Sequence, residues 1–424
     1  MDCKVSDFVI TDVMMWRGPG GPFAEKTLIF RNGEVSETEK TTIPPSGLKV
    51  IDGKGKYLIP GLVDMHVHFR EPGFSYKETI ESGSMAALRG GFTTVCTMPN
   101  LNPVPDSPET LREQTRIIER DALTEVIPYA SITRGRLGGE LIDYEALAPL
   151  VAGFSDDGSG VQDEETMRRA MEGIAPTGKI LAAHCEVDSL LEGGYVHKSD
   201  HLTSRGHKGI CSESEWKEIE RDIRLAEETG CRLHICHVST KEGVELVREA
   251  KRRGVDVTCE TAPHYLAFCD RDVKEEGRFK MNPPLRCDED REALRKGVAD
   301  GTVDVIATDH APHSEEEKSR GLEKSAMGVV GLETALPAVY SFMVESGRMT
   351  LERLVEAMAV RPAEILGINP EFPKNAVLVD FNESADTDPE NFLSKGKATP
   401  FAGMELMGRV KGTVIDGILY DFEK

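Results

Sequence analysis

Eight short, β-prone stretches, most of them apolar, recur through the middle of the chain with stretches of helical periodicity between them, and nothing else in the sequence restricts the fold as tightly. The strand candidates are residues 61–69, 93–98, 125–131, 150–155, 179–184, 232–238, 256–261 and 304–308. Most are rich in Val, Ile or Thr, as strands buried on both faces are. Amphipathic helical patterns cover residues 76–89, 108–120, 163–172, 212–229 and 241–253, and Ser212 with Glu215 has the spacing of a capping box. Eight β/α units predict an α/β protein built on a (β/α)8 TIM-type barrel. An open doubly wound sheet would carry a glycine-rich phosphate loop after its first strand. Here that strand ends in His66-Val67-His68.

Both chain ends read as sheet material. Residues 8–15 are apolar, 27–31 alternate, 375–380 form a strand pattern, and 409–420 read as strand, Asp416-Gly417 turn and strand. The expected division is a small β-sandwich domain from residues 1–57 plus 372–424, and a barrel from 58–371. A chain of 424 residues is long enough for both.

Charge and cysteine usage narrow the function. The formal net charge is −22, a field that repels nucleic acid phosphates and anionic membranes. An anionic small substrate stays compatible if its pocket is locally positive. The nine cysteines are scattered and form no CxxC pair, which reads as reduced thiols in a cytoplasmic protein. No signal peptide pattern opens the chain, and no stretch approaches the roughly 20 apolar residues of a membrane span.

The chemistry-bearing residues fall at the C-terminal ends of the predicted strands, where barrel active sites lie. His66 and His68, two apart on a strand, share one face. Asp64 shares it one step deeper and reads as a buried supporting carboxylate. Asp156 and Asp157 are neighbours that face opposite ways, and spacing does not choose between them. His184 ends an apolar run, and Cys185 behind it reads as packing. His234 and His237 fall on opposite faces, which makes His237 the ligand candidate and His234 structural. Cys236 shares the face of His234. Val305, Ala307 and Asp309 share a face, so Asp309 is the inward acid; Asp304 and His310 fall on the other. Four histidines and two acids of this kind suit zinc or a similar divalent ion, with positions left open for water. The acidic run Glu315-Glu316-Glu317 reads as solvated charge, and His197, His201 and His207 read as surface residues.

These segments together resemble the dihydroorotases of the amidohydrolase superfamily, in the class bridged by an aspartate. The resemblance rests on His66-Val67-His68-Phe69-Arg70-Glu71-Pro72-Gly73, Met98-Pro99-Asn100, Phe154–Gly158, Ala183-His184-Cys185-Glu186, His237-Val238-Ser239-Thr240, Lys280-Met281-Asn282-Pro283-Pro284-Leu285-Arg286 and Ala307-Thr308-Asp309-His310-Ala311-Pro312-His313. Phe392–Lys397 and Thr399-Pro400-Phe401 also fit. It implies a zinc-dependent cyclic amidohydrolase that interconverts dihydroorotate and N-carbamoyl-aspartate in pyrimidine biosynthesis, with two Zn2+ per subunit. It further implies that His66 and His68 bind one metal, that His184 and His237 bind the other, and that Asp157 bridges them with a hydroxide. Asp309 would touch the first metal and shuttle the proton. Arg70, Asn100 and His313 would hold the substrate carboxylate, and Asn282 would line the pocket. A second copy of the chain and aspartate carbamoyltransferase are the candidate protein partners. Leu101 departs from the threonine the family pattern has there, and the turn near residues 372–376 is shortened. Hydantoinases and allantoinases, the sister alternative, bridge through a carboxylated lysine where this chain has acids. An inactive barrel serving as a scaffold for the carbamoyltransferase would lack ligands that are present here.

Overall fold

The computed structural model describes residues 4–38, 47–369 and 371–423; Cys3 lies outside them. The central body is a ring of eight parallel strands: β1 (Leu62–Val67), β2 (Phe92–Thr97), β3 (Glu125–Pro128), β4 (Gly153–Phe154), β5 (Ile180–Ala183), β6 (Arg232–Ile235), β7 (Val257–Thr261) and β8 (Val305–Ile306). Continuous ladders join β1–β2–β3 and β4–β5–β6–β7–β8. Two isolated parallel bridges complete the ring, Ala130 to Phe154 and His310 to Val67.

Helices fill the crossovers. Lys241–Arg253 illustrates why they form where they do. Thr240 caps its first turn by accepting from the Gly243 amide, Lys251, Arg252 and Arg253 complement the dipole in the last, and Gly254 at φ 83° ends it. The first barrel helix begins at Ile80, not at residue 76, because Thr79 and Ser82 form the capping box. Residues 70–79 are thereby left to the loop above β1. At Ser212 the expected capping box is absent: Ser212 makes no side-chain cap bond. The Glu215 carboxylate is used elsewhere, accepting from the Ser239 and Thr240 amides and both hydroxyls. Those orphan donors at the start of the next helix outcompete a local cap, because Glu215 is buried beside them.

Nine strands of the two chain ends form one further sheet. In it Ala376–Asp386 pairs with Tyr57–Pro60 and with Glu405–Ile415, and Phe8–Met15 pairs with Ala24–Arg31. The hairpin between Glu405–Ile415 and Ile418–Asp421 turns on Asp416 (φ 50°) and Gly417 (φ 77°). Both lie in the left-handed region that a two-residue hairpin turn requires. Phe8 stacks on Phe30 at 4.2 Å inside this sheet's own apolar cluster. No helix among the described residues is long and apolar enough to cross a membrane.

Within the ring, alternation carries the core up to the site. Cys96 and Met98 lead to Asn100, Ile180 and Ala182 to His184, and Val305 and Ala307 to Asp309. On these three strands, β2, β5 and β8, the lower half of the inward face is apolar filling and the top residue is polar.

Candidate metal centre

Six polar side chains from five strand ends converge at one mouth of the ring, and all are buried. Asp157 stands at their centre. Its Oδ1 lies 3.3 Å from His66 Nε2, 3.4 Å from His184 Nδ1 and 3.5 Å from His237 Nε2, and its Oδ2 lies 3.5 Å from His68 Nε2. Asp309 Oδ1 lies 3.2 Å from His68 Nε2 and 3.6 Å from His66 Nε2. Two groups result, His66–His68–Asp157 and Asp157–His184–His237, each with its donor atoms within 4.8 Å of one another. Asp157 belongs to both. Its neighbour Asp156 turns away and accepts from the Ile132 and Thr133 amides and the Thr133 hydroxyl. Spacing left that choice open; the hydrogen-bond pattern makes it.

The backbone is forced at two of these positions. His237 has φ 35° and Asp309 has φ 48°, values that side-chain-bearing residues rarely adopt. At His237 the kink breaks strand alternation, so Cys236 lies inside the ring and His237 still reaches Asp157.

The donor set fits a divalent cation pair. His66 Nε2 and Asp157 Oδ1 are buried and have no hydrogen-bond partner among the described residues. An unpaired buried nitrogen and an unpaired buried carboxylate oxygen facing each other are costly unless a cation lies between them. The electrostatics agree. Burial alone would lift the Asp157 carboxyl, yet His66, His184 and His237 hold it well below the usual range. Burial alone would depress the His66 imidazole, yet Asp157 and Glu260 drive it well above its ordinary value. For His184 burial is likewise outweighed, by Asp157 and Glu186, which raise it to about 10. The cluster calls for positive charge, and neutral imidazoles plus a bound cation supply it without protonated ligands.

A second ring of groups holds the first, and two of its members, Glu260 and Glu186, carry no role in the sequence reading. Glu260, in mid-β7, sits 2.6 Å from His66 Nδ1 and 3.1 Å from His234 Nε2, and His234 Nδ1 meets Thr258 Oγ1 at 2.8 Å. A glutamate inside a β-prone Val-Thr-Cys-Glu-Thr segment was the available signal, since a buried charge needs partners. Cys236 lies beside the same pair; burial and Glu260 push its thiol up to about 12. Glu186 faces His184 Nε2 at 3.6 Å and accepts from Asn282 Nδ2 at 3.0 Å. Asn100 Oδ1 meets His68 Nδ1 at 2.9 Å, and Asp64 accepts from the His66 and Thr308 amides. On the outer side of β8, His310 contacts Glu78 and Asp304 pairs with Lys251.

Above the cluster, Arg70 is buried and spends only Nε on protein, donating to the Pro312 carbonyl at 3.3 Å. Among the described residues its two terminal nitrogens have no recorded partner. Burial lowers its guanidinium to about 10, against the pull of Asp309 and Asp157. It stays charged at neutral pH. His313 lies next to it with both ring nitrogens engaged, Nε2 on the Met327 carbonyl at 2.7 Å and Nδ1 on Lys77 Nζ at 3.2 Å.

Two expectations for this end of the ring need correction. Glu317 is not simply solvated: it pairs with Lys77 at 2.9 Å, accepts from Tyr76 at 3.2 Å and closes a capping box on Ser314. Glu315 and Glu316 are exposed, as expected. Of the three histidines after β5 only His201 is exposed. His197 is buried beside Arg286, and His207 bonds Tyr195 and Glu275. The loop doubles back through a small two-strand pairing of Val196–His197 with Gly209–Ile210, which a periodicity argument does not detect.

Comparison with known proteins agrees with this geometry. A family model described as dihydro-orotase-like matches residues 55–243. A dihydroorotase from Fusobacterium nucleatum is 45% identical over 408 residues, covering 95% of this chain and 96% of its own. One from Geobacillus thermodenitrificans is 48% identical over 419 residues, covering 96% and 98%. Among solved structures, the L-hydantoinase (dihydropyrimidinase) from Arthrobacter aurescens superposes with a TM-score of 0.85 at 25% identity, covering 97% of this chain and 95% of its own. A D-hydantoinase superposes with a TM-score of 0.81 at 21% identity, a likeness of fold alone, covering 97% of this chain and 94% of that one.

Proposed function

The chain belongs to the dihydroorotase family, and from that premise we propose that it hydrolyses the ring amide of (S)-dihydroorotate to N-carbamoyl-L-aspartate, reversibly, in pyrimidine biosynthesis. The observation that carries the proposal is the sharing of Asp157 by two histidine pairs, with Asp309 beside it and the open guanidinium of Arg70 above.

His66 and His68 would hold one divalent ion, His184 and His237 the other, and Asp157 would bridge them; nitrogen and carboxylate donors of this kind suit Zn2+. When bound, such ions supply an activated water and polarise the carbonyl to be attacked. The chain's own residues do the rest. Arg70 fixes the substrate carboxylate in a bidentate fork, with Asn100 and His313 at the same end and Asn282 lining the wall. This turns the ring amide toward the metal cluster and holds it there. The water oxygen bonds to the amide carbon and the carbon–nitrogen bond breaks. Asp309 takes the proton from the water and delivers it to the departing nitrogen. In the synthetic direction the same carboxyl starts protonated.

Hydantoinase activity is the competing reading, favoured by the structural neighbours. An aspartate at the end of β4, in place of the carboxylated lysine of those enzymes, speaks against it. Eight unpaired cysteines among the described residues are consistent with a cytoplasmic enzyme. The test is turnover of dihydroorotate by purified, zinc-loaded protein alongside hydantoin and allantoin. The proposal expects dihydroorotate to be preferred by orders of magnitude, and preference for either other ring would overturn it.

A further inference from the structure

We propose that Lys318 is a positioning residue for the substrate-holding end of this site, its buried ammonium locking the loops after β7 and β8 to each other. The inference rests on the dihydroorotase reading and concerns what sets the geometry of that end from outside the pocket.

Lys318 closes the short helix Glu315–Lys318, which Ser314 caps. Its side chain is buried. An ammonium has three N–H groups, and three backbone carbonyls face this one: Gly328 at 2.7 Å, Ala326 at 2.8 Å and Lys280 at 3.0 Å. Among the described residues no carboxylate pairs with it. A buried charge without a counter-ion is costly, and a chain keeps one only where other groups satisfy it. Burial and the nearby Lys280 pull the ammonium down to about 7, against Glu317, so the three carbonyl dipoles are what favour its charged form. The costly group joins two segments that the backbone also joins, since the Gly328 amide donates to the same Lys280 carbonyl at 3.0 Å.

Both segments lead to substrate-holding groups. Met327 lies between the two held residues of its segment, and its carbonyl meets His313 Nε2 at 2.7 Å. Gly328, at φ 130°, has no room for a Cβ, which would fall 2.8 Å from the Ala311 carbonyl oxygen and 3.1 Å from His313 Cδ2. The held segment therefore rests directly on residues 311–313. From there Pro312 offers its carbonyl to Arg70 Nε at 3.3 Å. On the other side, Lys280 stands two residues before Asn282, which donates to Glu186 at 3.0 Å. One ammonium thus fixes where His313, the Arg70 acceptor and Asn282 stand relative to one another. It bonds to none of these side chains and to none of the metal-holding ones.

The experiment compares Lys318→Met and Lys318→Ala with the unaltered, zinc-loaded enzyme, measuring KM and kcat for dihydroorotate, zinc content and Tm. Methionine keeps the length of the side chain and removes every N–H. For Lys318→Met the expected result is a KM raised about tenfold, a smaller change in kcat and unchanged zinc, because the substrate-holding groups shift and the metal-holding ones do not. In Lys318→Ala, added propylammonium chloride should lower the raised KM several-fold and raise Tm. An equal concentration of 1-propanol, similar in size and uncharged, should do neither. Should Lys318→Met fail to fold, Lys318→Ala prepared in propylammonium carries the test, read before and after the additive is dialysed away. The assignment is overturned if Lys318→Met leaves KM within about twofold, if its loss falls on kcat or on zinc instead, or if Lys318→Ala responds no better to propylammonium than to 1-propanol. The Tm response needs no substrate, so an unaltered enzyme inactive on dihydroorotate would sink the functional reading while the carbonyl cage is still tested by itself.

Discussion

Replacing Glu260 by Gln removes one charge and almost no volume, yet it should loosen a metal site that Glu260 does not touch. Both Glu260 oxygens are engaged, one with His66 Nδ1 at 2.6 Å and one with His234 Nε2 at 3.1 Å. His66 Nε2 faces Asp157 and Asp309 and must offer a lone pair to hold a cation. Its hydrogen is therefore on Nδ1, donated to Glu260. A glutamine presents one acceptor and one donor. Its NH2 group would meet an N–H of one imidazole, so His66 or His234 must change tautomer or lose its bond. A charge-assisted hydrogen bond of this kind contributes about 1.5–3 kcal/mol. Outer groups that orient a ligating histidine typically change metal affinity by about 10–100-fold. The expected result for Glu260→Gln is a fall of that size in affinity for one zinc, measured by competition with a chromophoric chelator, while the second zinc stays within a few-fold. The reasoning fails if both zinc affinities match those of the unaltered protein.

Other consequences follow from the same geometry. Asp309→Ala should keep its zinc, by elemental analysis, and lose about 10²–10⁴-fold in kcat, since proton delivery goes with it; an active variant would remove Asp309 from that role. Arg70→Lys should raise KM for dihydroorotate about tenfold or more, because a point charge cannot reproduce the fork; unchanged KM with reduced kcat would give Arg70 a different job. Burial raises the Glu333 carboxyl from 4.5 to about 7, although it accepts from the Leu393 and Ser394 amides. A carboxyl with a folded value above its unfolded value binds its proton better when folded. Its contribution is present below about pH 4.5 and lost as pH rises to about 7, by roughly 1–3 kcal/mol. Glu333→Gln should therefore gain in Tm relative to the unaltered protein between pH 5 and 8, by a few degrees, and a pH-independent difference would contradict this.

The sequence made the ring and its polar mouth legible because both depend on local periodicity. Eight strand ends could be placed from apolar runs, and a period of two put His66 with His68 and Asp309 above Ala307. What it could not supply was three-dimensional bonding. Nothing in the spacing of Asp156 and Asp157 says that Thr133 claims the first. The role of Glu260 depends on a strand almost 200 residues away from His66, and no window reads that far. Glu215 and Glu317 each match a helix-start pattern, yet each is also bound by groups from other segments, Glu215 to the exclusion of its cap. For His184, only the fold determines that Nδ1, not Nε2, faces Asp157. The strained φ at His237 was hidden as well: parity arguments chose it over His234, although the backbone there no longer follows strand parity.

The central claim is that one carboxylate joins two cation sites, and zinc titration of the apoprotein with and without Asp157→Asn tests it most directly. The expected outcome is saturation at two zinc ions per chain for the unaltered protein, with both affinities reduced by the substitution because Asp157 serves each. Saturation at a single ion, or an Asp157→Asn variant that takes up two with undiminished affinity, would contradict it.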